Sequence, residues 1–233
     1  VNAETDFVAR NESFQEMVNA IARRAPEAEG DVEKLKSFEL PTGRTVEDEI
    51  TNAIGLIGEN MTLRRTATLR VEEGVVGGYV HAQVAPGLGK IGVLVGIRSS
   101  AADTAKLADI AKQVAMHVAA STPQSVDVAD LDPALVEHER AILVDQAKAS
   151  GKPDSIIEKM VEGRLRKFYE EVVLNEQMFV IDTDKKVKDF VAEQAEGLGA
   201  PVAIAGFVKF VLGEGVEKEE TDLAAEVAQL AGG

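Results

Sequence analysis

The sequence predicts an α+β fold in which antiparallel sheet is packed with helices, with an inserted antiparallel coiled-coil hairpin and a C-terminal helix. Three β-like runs at residues 62–71, 75–84 and 90–97 indicate the sheet. Stretches with helical periodicity lie on both sides of these runs. Two long helix-forming runs then separate the strands from further β-like residues near the end of the chain. This order is typical of an α+β protein.

The composition predicts a folded protein with more than one subdomain. A chain of 233 residues is long enough to form two compact units. Apolar residues make up 45% and charged residues 28% of the sequence, which is ordinary for a globular protein and unlike a disordered one. The formal net charge of -15 repels phosphate backbones and anionic lipid surfaces. We therefore expect neither nucleic acid nor membrane as a direct partner.

The chain has no cysteine, which excludes disulfides, thiolate metal sites and a cysteine nucleophile. No apolar run reaches the roughly 20 residues that cross a bilayer, and no signal-peptide pattern opens the sequence. We therefore expect a cytoplasmic protein. The first residue is Val1, and Val1-Asn2 resembles the end of a strand that enters a turn. We expect the natural protein to begin earlier.

The first helix is predicted to begin near Asn11, with Asn11 and Ser13 available as N-caps. Its apolar face consists of Phe14, Val18, Ile21 and Ala22. Pro26 is predicted to end this face, and the acidic residues 27–40 are predicted to be irregular.

A second helix is predicted after Thr45, because Thr45 to Asp48 resembles a capping box. Ile50, Ile54 and Ile57 form its apolar stripe, and Gly58 closes it.

The three β-like runs are separated by glycines and a proline, which predicts an antiparallel meander. Asp103 then caps an amphipathic helix that leads to Pro123, and this helix is predicted to lie on the sheet. Its apolar side carries Leu107, Ile110, Val114, Met116 and His117.

Residues 133–148 and 154–171 form two helical runs, and the turn residues 149–153 join them into a predicted hairpin. One apolar stripe on each arm predicts an antiparallel coiled coil. The stripes consist of Leu135, Ile142 and Ala147 on the first arm, and of Ile157, Met160, Val161, Leu165 and Phe168 on the second. Residues 179–181 and 203–212 are again β-like, so the hairpin is inserted into the sheet domain. A last helix is predicted at about residues 221–230.

The string Gly87-Leu88-Gly89-Lys90-Ile91-Gly92 matches a dinucleotide-binding pattern, but its context does not. That pattern needs a helix after the glycines, because the pyrophosphate binds helix N-terminal amides, and here a strand is predicted to follow. Nor does the string complete a P-loop. We expect no bound nucleotide and no cofactor.

Catalytic and metal-binding patterns are also lacking. The histidines His81, His117 and His138 are scattered and show no metal-ligand spacing. Acidic runs near the end of the chain are interpreted as solvated faces or helix entries. We expect that the chain is not an enzyme and holds no metal.

One short segment, residues 5–10, places an aromatic residue beside an acid in a chain with only 4% aromatic residues. Two interpretations stay open. Asp6 caps a helix and Phe7 lies in the core, which is supported by a similar string at Asp222. Alternatively, Phe7 projects as a wedge for a partner's pocket and Asp6 orients it.

Several strings, taken in order along the whole chain, resemble elongation factor Ts. They are residues 2–10 with Asn11, Glu12 and Phe14, then Ile57-Gly58-Glu59-Asn60, Arg64-Arg65, Tyr79 with His81, residues 91–95 and 115–120, Gly151-Lys152-Pro153 and Gly213-Glu214-Gly215. The resemblance implies two small α+β subdomains, a protruding coiled-coil hairpin and a C-terminal helical module. With the residue patterns it predicts these domains: 1–74 as the core N-subdomain, 75–125 and 174–215 as the two parts of the core C-subdomain, 126–173 as a dimerisation-type hairpin, and 216–233 as the C-terminal module.

The resemblance also implies a function. Members of this family bind the GTPase elongation factor Tu and promote GDP release during translation. The residues implied to contact the partner are Asp6, Phe7, Ile57, Gly58 and His81, with the phenylalanine intruding near the magnesium and phosphate site. From the residues alone, His81 is favoured as a half-exposed strand histidine without a role. The residue-by-residue resemblance to the family reverses this preference and favours a partner contact. His117 is interpreted as a core histidine.

Two departures from the family pattern limit what is carried over. The family begins with a small helical module that has no counterpart before Val1, which puts exchange activity of this chain in question. Residues 29–45 also look longer than in the family.

The implied mechanism is allosteric competition between the factor and GDP, without covalent chemistry. An alternative hypothesis is an assembly module, in which the hairpin forms a homodimer and the core has no exchange role. A third is an enzyme that acts on a small acid or a nucleotide, for which the sequence offers no catalytic residues.

Overall fold

The structure, a computed structural model, describes residues 1–149 and 151–215, and within these ranges it has seven α-helices and seven β-strands. The helices are α1 (Glu12–Ala28), α2 (Val32–Lys36), α3 (Val46–Ile57), α4 (Thr104–Ala120), α5 (Pro133–Lys148), α6 (Asp154–Val172) and α7 (Val187–Leu198). The strands are β1 (Asn2–Ala3), β2 (Met61–Thr62), β3 (Gly74–Ala85), β4 (Leu88–Arg98), β5 (Met178–Phe179), β6 (Asp182–Lys186) and β7 (Ala203–Val211). The predicted α+β class is confirmed. The predicted helix at 221–230 and the module 216–233 lie outside the described residues.

The main sheet has three antiparallel strands in the order β3-β4-β7. Tyr79 lies opposite Val93 in the β3–β4 hairpin, and Val93 lies opposite Lys209 on β7. Because β7 follows the helical hairpin in the chain and returns to pair with β4, the predicted insertion is confirmed.

The predicted meander is wrong in its first strand. Of residues 62–71, only Thr62 is in a strand, and β2 pairs with β1 instead of with the main sheet. The chain after β2 crosses a face of that sheet, since a Cβ built at Gly96 would meet Val71 Cγ2 at 2.7 Å and Leu69 Cδ2 at 3.6 Å. This run therefore covers the sheet, and β7 supplies the third strand.

Helix α4 packs on the main sheet, as predicted, and forms the largest hydrophobic cluster with it. Asp103 caps the helix by accepting a hydrogen bond from Lys106 N at 2.9 Å. The helix and sheet approach closely, because a Cβ built at Gly77 would meet Ala111 Cβ at 2.5 Å. Helix α7, which was not predicted from the sequence, adds Phe190 and Val191 to this cluster.

A second hydrophobic cluster, which we call the N-terminal cluster, joins α1, α2 and α3 to the short β1–β2 pair. Asn11 caps α1 through a hydrogen bond from Phe14 N, as predicted. Pro26 does not end α1, because the helix continues for two more residues and buries Ala28, although proline removes a backbone hydrogen bond there. Nor are residues 27–40 irregular throughout, since α2 forms there and buries Leu35.

The hairpin of α5 and α6 has the predicted bounds to within one residue and its own small hydrophobic cluster. The stripe on α5 is shifted from the predicted one, because Leu143 is buried whereas Ile142 is 38% exposed. Ile157, Val161 and Leu165 face it from α6, as predicted.

The three clusters draw on residues of different predicted domains, but the boundaries of those domains stay predictions. No helix among the described residues is long and apolar enough to cross a membrane.

Candidate functional site

The predicted site residues come from three segments that the fold brings together. Asp6 and Phe7 lie in the loop between β1 and a 3₁₀ turn at Val8–Arg10, and we call residues 4–7 the Phe7 loop. Ile57 ends α3 and Gly58 is its C-cap. His81 lies on β3, which also contacts the 3₁₀ turn. The site therefore combines the N-terminal cluster with the edge of the main sheet.

Phe7 projects into solvent and is 79% exposed, the largest value among the exposed large hydrophobic side chains of the described residues. The next residue, Val8, is only 2% exposed and anchors the chain in the N-terminal cluster. The interpretation of Phe7 as a core residue is therefore wrong. An exposed phenylalanine leaves a large apolar surface in water, which is typical of a contact surface when it is held in place.

The Phe7 loop is bound to the end of α3 by side-chain hydrogen bonds. Thr5 N donates to Glu59 Oε2 at 3.0 Å, and Thr5 Oγ1 lies 2.8 Å from Glu59 Oε1. Asn60 Nδ2 donates to Glu4 Oε1 at 2.7 Å. The β1–β2 pairing of Ala3 with Met61 lies directly beside these bonds. The loop and the α3 terminus thus form one surface.

The end of α3 presents a second apolar group. Gly58 adopts the left-handed conformation with φ 83°, and its N–H donates to Ile54 O at 2.8 Å. This C-cap turns the chain sharply and needs glycine. Ile57 is half-buried, whereas Leu56 is 78% exposed. Phe7 and Leu56 are therefore two apolar side chains in solvent on segments that Thr5 and Glu59 join.

Asp6 links the Phe7 loop to the main sheet. Lys90 Nζ donates to Asp6 Oδ2 at 2.8 Å, and both side chains are at least half exposed. The hydrogen bond from Lys90, followed by the charge of Lys90, holds the pKa of the Asp6 carboxyl below its usual value. Asp6 does not cap the 3₁₀ turn, because that turn has no side-chain cap hydrogen bond. Asp6 instead joins the Phe7 loop to β4 of the main sheet.

His81 is exposed on β3 opposite Ile91, the neighbour of Lys90. Its Nδ1 lies 3.1 Å from the Tyr79 hydroxyl. The backbone beside it is strained, because Ala82 has φ 51°, just before the register shift between Gln83 and Ala85 in the β3–β4 pairing. A Cβ built at Gly89 would meet His81 O at 2.6 Å, so only glycine lets β4 pass this close. The contact with Tyr79 orients the His81 ring on this closely paired stretch of β3.

Arg65, in the run that follows β2, joins the N-terminal cluster to β7 of the main sheet. Its Nη2 donates to Val211 O at 2.9 Å, and its guanidinium carbon lies 4.4 Å from the centre of the Phe210 ring. Its Nη1 contacts Glu214 Oε2 at 3.1 Å. A cavity of about 200 Å³ lies between the N-terminal cluster and the main sheet, with Phe14, Arg65 and Lys90 among its lining residues.

The arrangement offers recognition chemistry: two exposed apolar side chains, one ion pair and one histidine on a supported surface. The glycines of the dinucleotide-like string lie at the β3–β4 turn and along β4, so a strand follows them, as predicted. Among the described residues, no group of three or more His, Cys, Asp or Glu side chains is placed to hold a metal ion.

Four further residues belong to this surface and were not predicted from the sequence: Thr5, Leu56, Glu59 and Lys90. Leu56 carried a usable signal, because it lies off the stripe of Ile50, Ile54 and Ile57 and so had to face away from the core. The pairing of Thr5 with Glu59 and that of Asp6 with Lys90 join residues 54 and 84 positions apart, and no local pattern indicates them.

Comparisons with known proteins agree on one family. A family model described as "Elongation factor TS" matches residues 4–214. The chain is 58% identical to elongation factor Ts of Rhodospirillum rubrum over 230 residues, which are 98% of this chain and 74% of that protein. It is 55% identical to elongation factor Ts of Rhodospirillum centenum over 100% of this chain and 76% of the relative. It is 53% identical to elongation factor Ts of Rickettsia bellii over 98% of this chain and 74% of the relative.

Proposed function

The chain belongs to the elongation factor Ts family of translation elongation factors, and on this premise we propose that it is a guanine nucleotide exchange factor. It binds elongation factor Tu and promotes GDP release during translation elongation. It performs no covalent chemistry itself and works in the cytoplasm. Asp6, Phe7, Ile57, Gly58 and His81 are its contacts with the GTPase.

The observation that carries this proposal is the position of Phe7. The side chain is 79% exposed, yet its loop is hydrogen-bonded to Glu59 on one side and to Lys90 on the other. A held aromatic side chain can enter a partner's pocket at a small entropic cost, because little freedom is left to lose. The net charge of -15 argues against a phosphate or nucleic-acid target for the same surface.

The proposed mechanism is competition through the partner. Phe7 inserts near the magnesium and phosphate site of elongation factor Tu and disturbs it, so the factor binds the nucleotide-free form more tightly. By linkage, GDP then weakens binding of the factor by the same ratio. Burial of one phenylalanine contributes about 1.5–3 kcal/mol, which is similar to the coupling of about 1–3 kcal/mol that links two ligands of one protein. A single wedge therefore suffices for much of the effect.

The test is release of a fluorescent GDP analogue from purified elongation factor Tu as this chain is added. We expect the chain to accelerate release, and Phe7→Ala to lower the acceleration about tenfold or more, since each 1.4 kcal/mol is a factor of ten. Ile156→Ala is the matched control, because Ile156 is a 44% exposed apolar side chain on α6. A folded Phe7→Ala protein with unchanged activity contradicts the proposal.

A second candidate function is an assembly module that dimerises through the hairpin. Its support is the exposure of Ile142 on α5 and of Ile156 on α6, at 38% and 44%. Sedimentation at several concentrations, with and without the hairpin, separates the two functions. Loss of self-association together with retained binding to elongation factor Tu favours exchange, whereas loss of both favours assembly.

A further inference from the structure

We propose that Glu59 is a positioning residue that holds Phe7 in place through Thr5. This inference rests on the proposed function, because it concerns the side chain that enters the partner. The contact is double: Glu59 Oε2 accepts from Thr5 N at 3.0 Å, and the Thr5 hydroxyl lies 2.8 Å from Oε1 and 2.9 Å from Oε2. One carboxylate thus fixes both the backbone and the side chain of Thr5.

The position of Thr5 makes this contact effective. Phe7 lies between two fixed points, since Thr5 is bound to Glu59 and Val8 is buried at 2% exposure. Charge-assisted hydrogen bonds are stronger than neutral ones, and two bonds to one group restrict rotation as well as distance. The backbone that carries Phe7 therefore has little freedom on the side of Thr5.

Helix electrostatics supports a positioning role over a purely stabilising one. Glu59 follows Gly58, the C-cap of α3, and so lies at the negative end of the helix dipole. A carboxylate there is unfavourable for the helix, and a lysine or arginine would stabilise it. The Glu4 carboxylate lies next to the same helix end through its hydrogen bond with Asn60. These two negative charges are unfavourable for α3 itself, and their hydrogen bonds with Thr5 and Asn60 offset that effect.

The first test measures the mobility of the side chain at position 7 without any partner. The chain contains no tryptophan, so Phe7→Trp introduces a single indole probe. We expect high fluorescence anisotropy in this protein, and lower anisotropy when Thr5→Val or Glu59→Ala is added. Thr5→Ser and Glu59→Gln are the matched controls. Serine keeps the hydroxyl, and a glutamine accepts from Thr5 N while its Nε2 donates to Thr5 Oγ1. Anisotropy that is the same in all five proteins overturns the inference.

The second test is nucleotide release from elongation factor Tu in a double-mutant cycle. Glu59→Ala should lower the acceleration about tenfold, as expected for loss of one charge-assisted contact, and Glu59→Gln should restore most of it. In the Phe7→Ala background, Glu59→Ala should have no further effect, because Glu59 acts through that side chain. Full additivity of the two substitutions overturns the inference, even if Glu59→Ala lowers the melting temperature. If the unsubstituted chain fails to accelerate release, the proposed function fails, whereas the anisotropy result still decides the role of Glu59.

Discussion

Lys90 Nζ donates a hydrogen bond to Asp6 Oδ2 at 2.8 Å across 84 positions of sequence. This contact joins the Phe7 loop, which belongs to the N-terminal cluster, to β4 of the main sheet. Together with the contact between Thr5 and Glu59, it gives the loop one anchor on each unit of the structure. The position of the Phe7 loop therefore depends on both anchors, and we expect a change in either one to alter the site without unfolding either cluster.

The first prediction is that Lys90→Gln slows nucleotide exchange and leaves stability almost unchanged. The side chains of Lys90 and Asp6 are 50% and 74% exposed, and exposed ion pairs contribute little to the free energy of unfolding. Loss of the contact frees the loop on the side of the sheet, so the acceleration of GDP release should fall severalfold. Release kinetics and urea unfolding measure the two quantities.

Lys36→Gln is the control for this prediction. It removes a surface ion pair with Glu33 on α2, at 2.7 Å, in which the Lys36 side chain is 27% and the Glu33 side chain 79% exposed, and should change neither quantity. An equal loss of exchange in both variants would mean that overall charge, and not the link to Asp6, causes the effect.

The elements that sequence reasoning predicted correctly are those fixed by local signals. Asn11, Thr45 and Asp103 each cap the helix they were expected to cap, because a capping bond joins residues three apart. The strand assignment failed where the partner was distant. Residues 62–71 have the near-alternating polar and apolar pattern of a strand. The position beside β4 is taken by β7, however, and only the folded chain decides between them.

For the candidate site, the sequence and its resemblance named candidate residues but did not indicate how they are arranged. Of the two interpretations of Phe7, the local pattern favoured the core residue, and it was wrong because burial of a side chain depends on what lies opposite it in the fold. The one-residue shift from Ile142 to Leu143 has a similar cause: one residue is about 100° around a helix, so a sparse stripe leaves the buried face undecided.

The second prediction compares two glycines of the same helix end. A Cβ at Gly55 or at Gly58 would meet nothing within 4 Å, so neither substitution causes a clash. Gly55 lies within α3, and Gly55→Ala should stabilise the protein by about 1 kcal/mol through helix propensity. Gly58 has φ 83°, and Gly58→Ala should destabilise it by about 1–2 kcal/mol because a Cβ is unfavourable there. Urea unfolding of both variants measures the difference, and shifts of the same sign would contradict it.

The third prediction concerns the buried His117 on α4. Val180 N donates to His117 Nδ1 at 3.2 Å, so the proton of the neutral ring is on Nε2, which lies 2.8 Å from Gln177 Oε1. Burial lowers the pKa of His117 from 6.5, and the bond with Gln177 opposes this only in part. Below about pH 6.5 the unfolded chain therefore binds a proton that the folded chain does not, and the free energy of unfolding falls by up to about 1.4 kcal/mol per pH unit.

Urea unfolding between about pH 7.5 and pH 5.5 measures this slope. His117→Gln should be less stable at the upper pH and should lose this part of the slope. His138→Gln, which removes an exposed histidine on α5, should keep the slope of the unsubstituted chain. A slope that survives in His117→Gln would assign the pH dependence to other groups.

The last prediction is that Leu56 contributes to partner binding through apolar contact. It is 78% exposed on the last turn of α3, beside Ile57 and Gly58. Leu56→Ala should lower the acceleration of GDP release about tenfold, since burial of a leucine contributes about 1.5–3 kcal/mol and a surface contact buries part of it. Stability should not fall, because alanine is the better helix former. Leu56→Met, which keeps the apolar area, should behave like the unsubstituted chain.

Salt separates the contact at Leu56 from the one at Lys90. The defect of Leu56→Ala should be the same at low and high ionic strength, whereas the defect of Lys90→Gln should shrink as salt screens the ion pair that this substitution removes. A defect of Leu56→Ala that depends on salt in the same way would show that Leu56 acts by disturbing neighbouring charges instead of by contact.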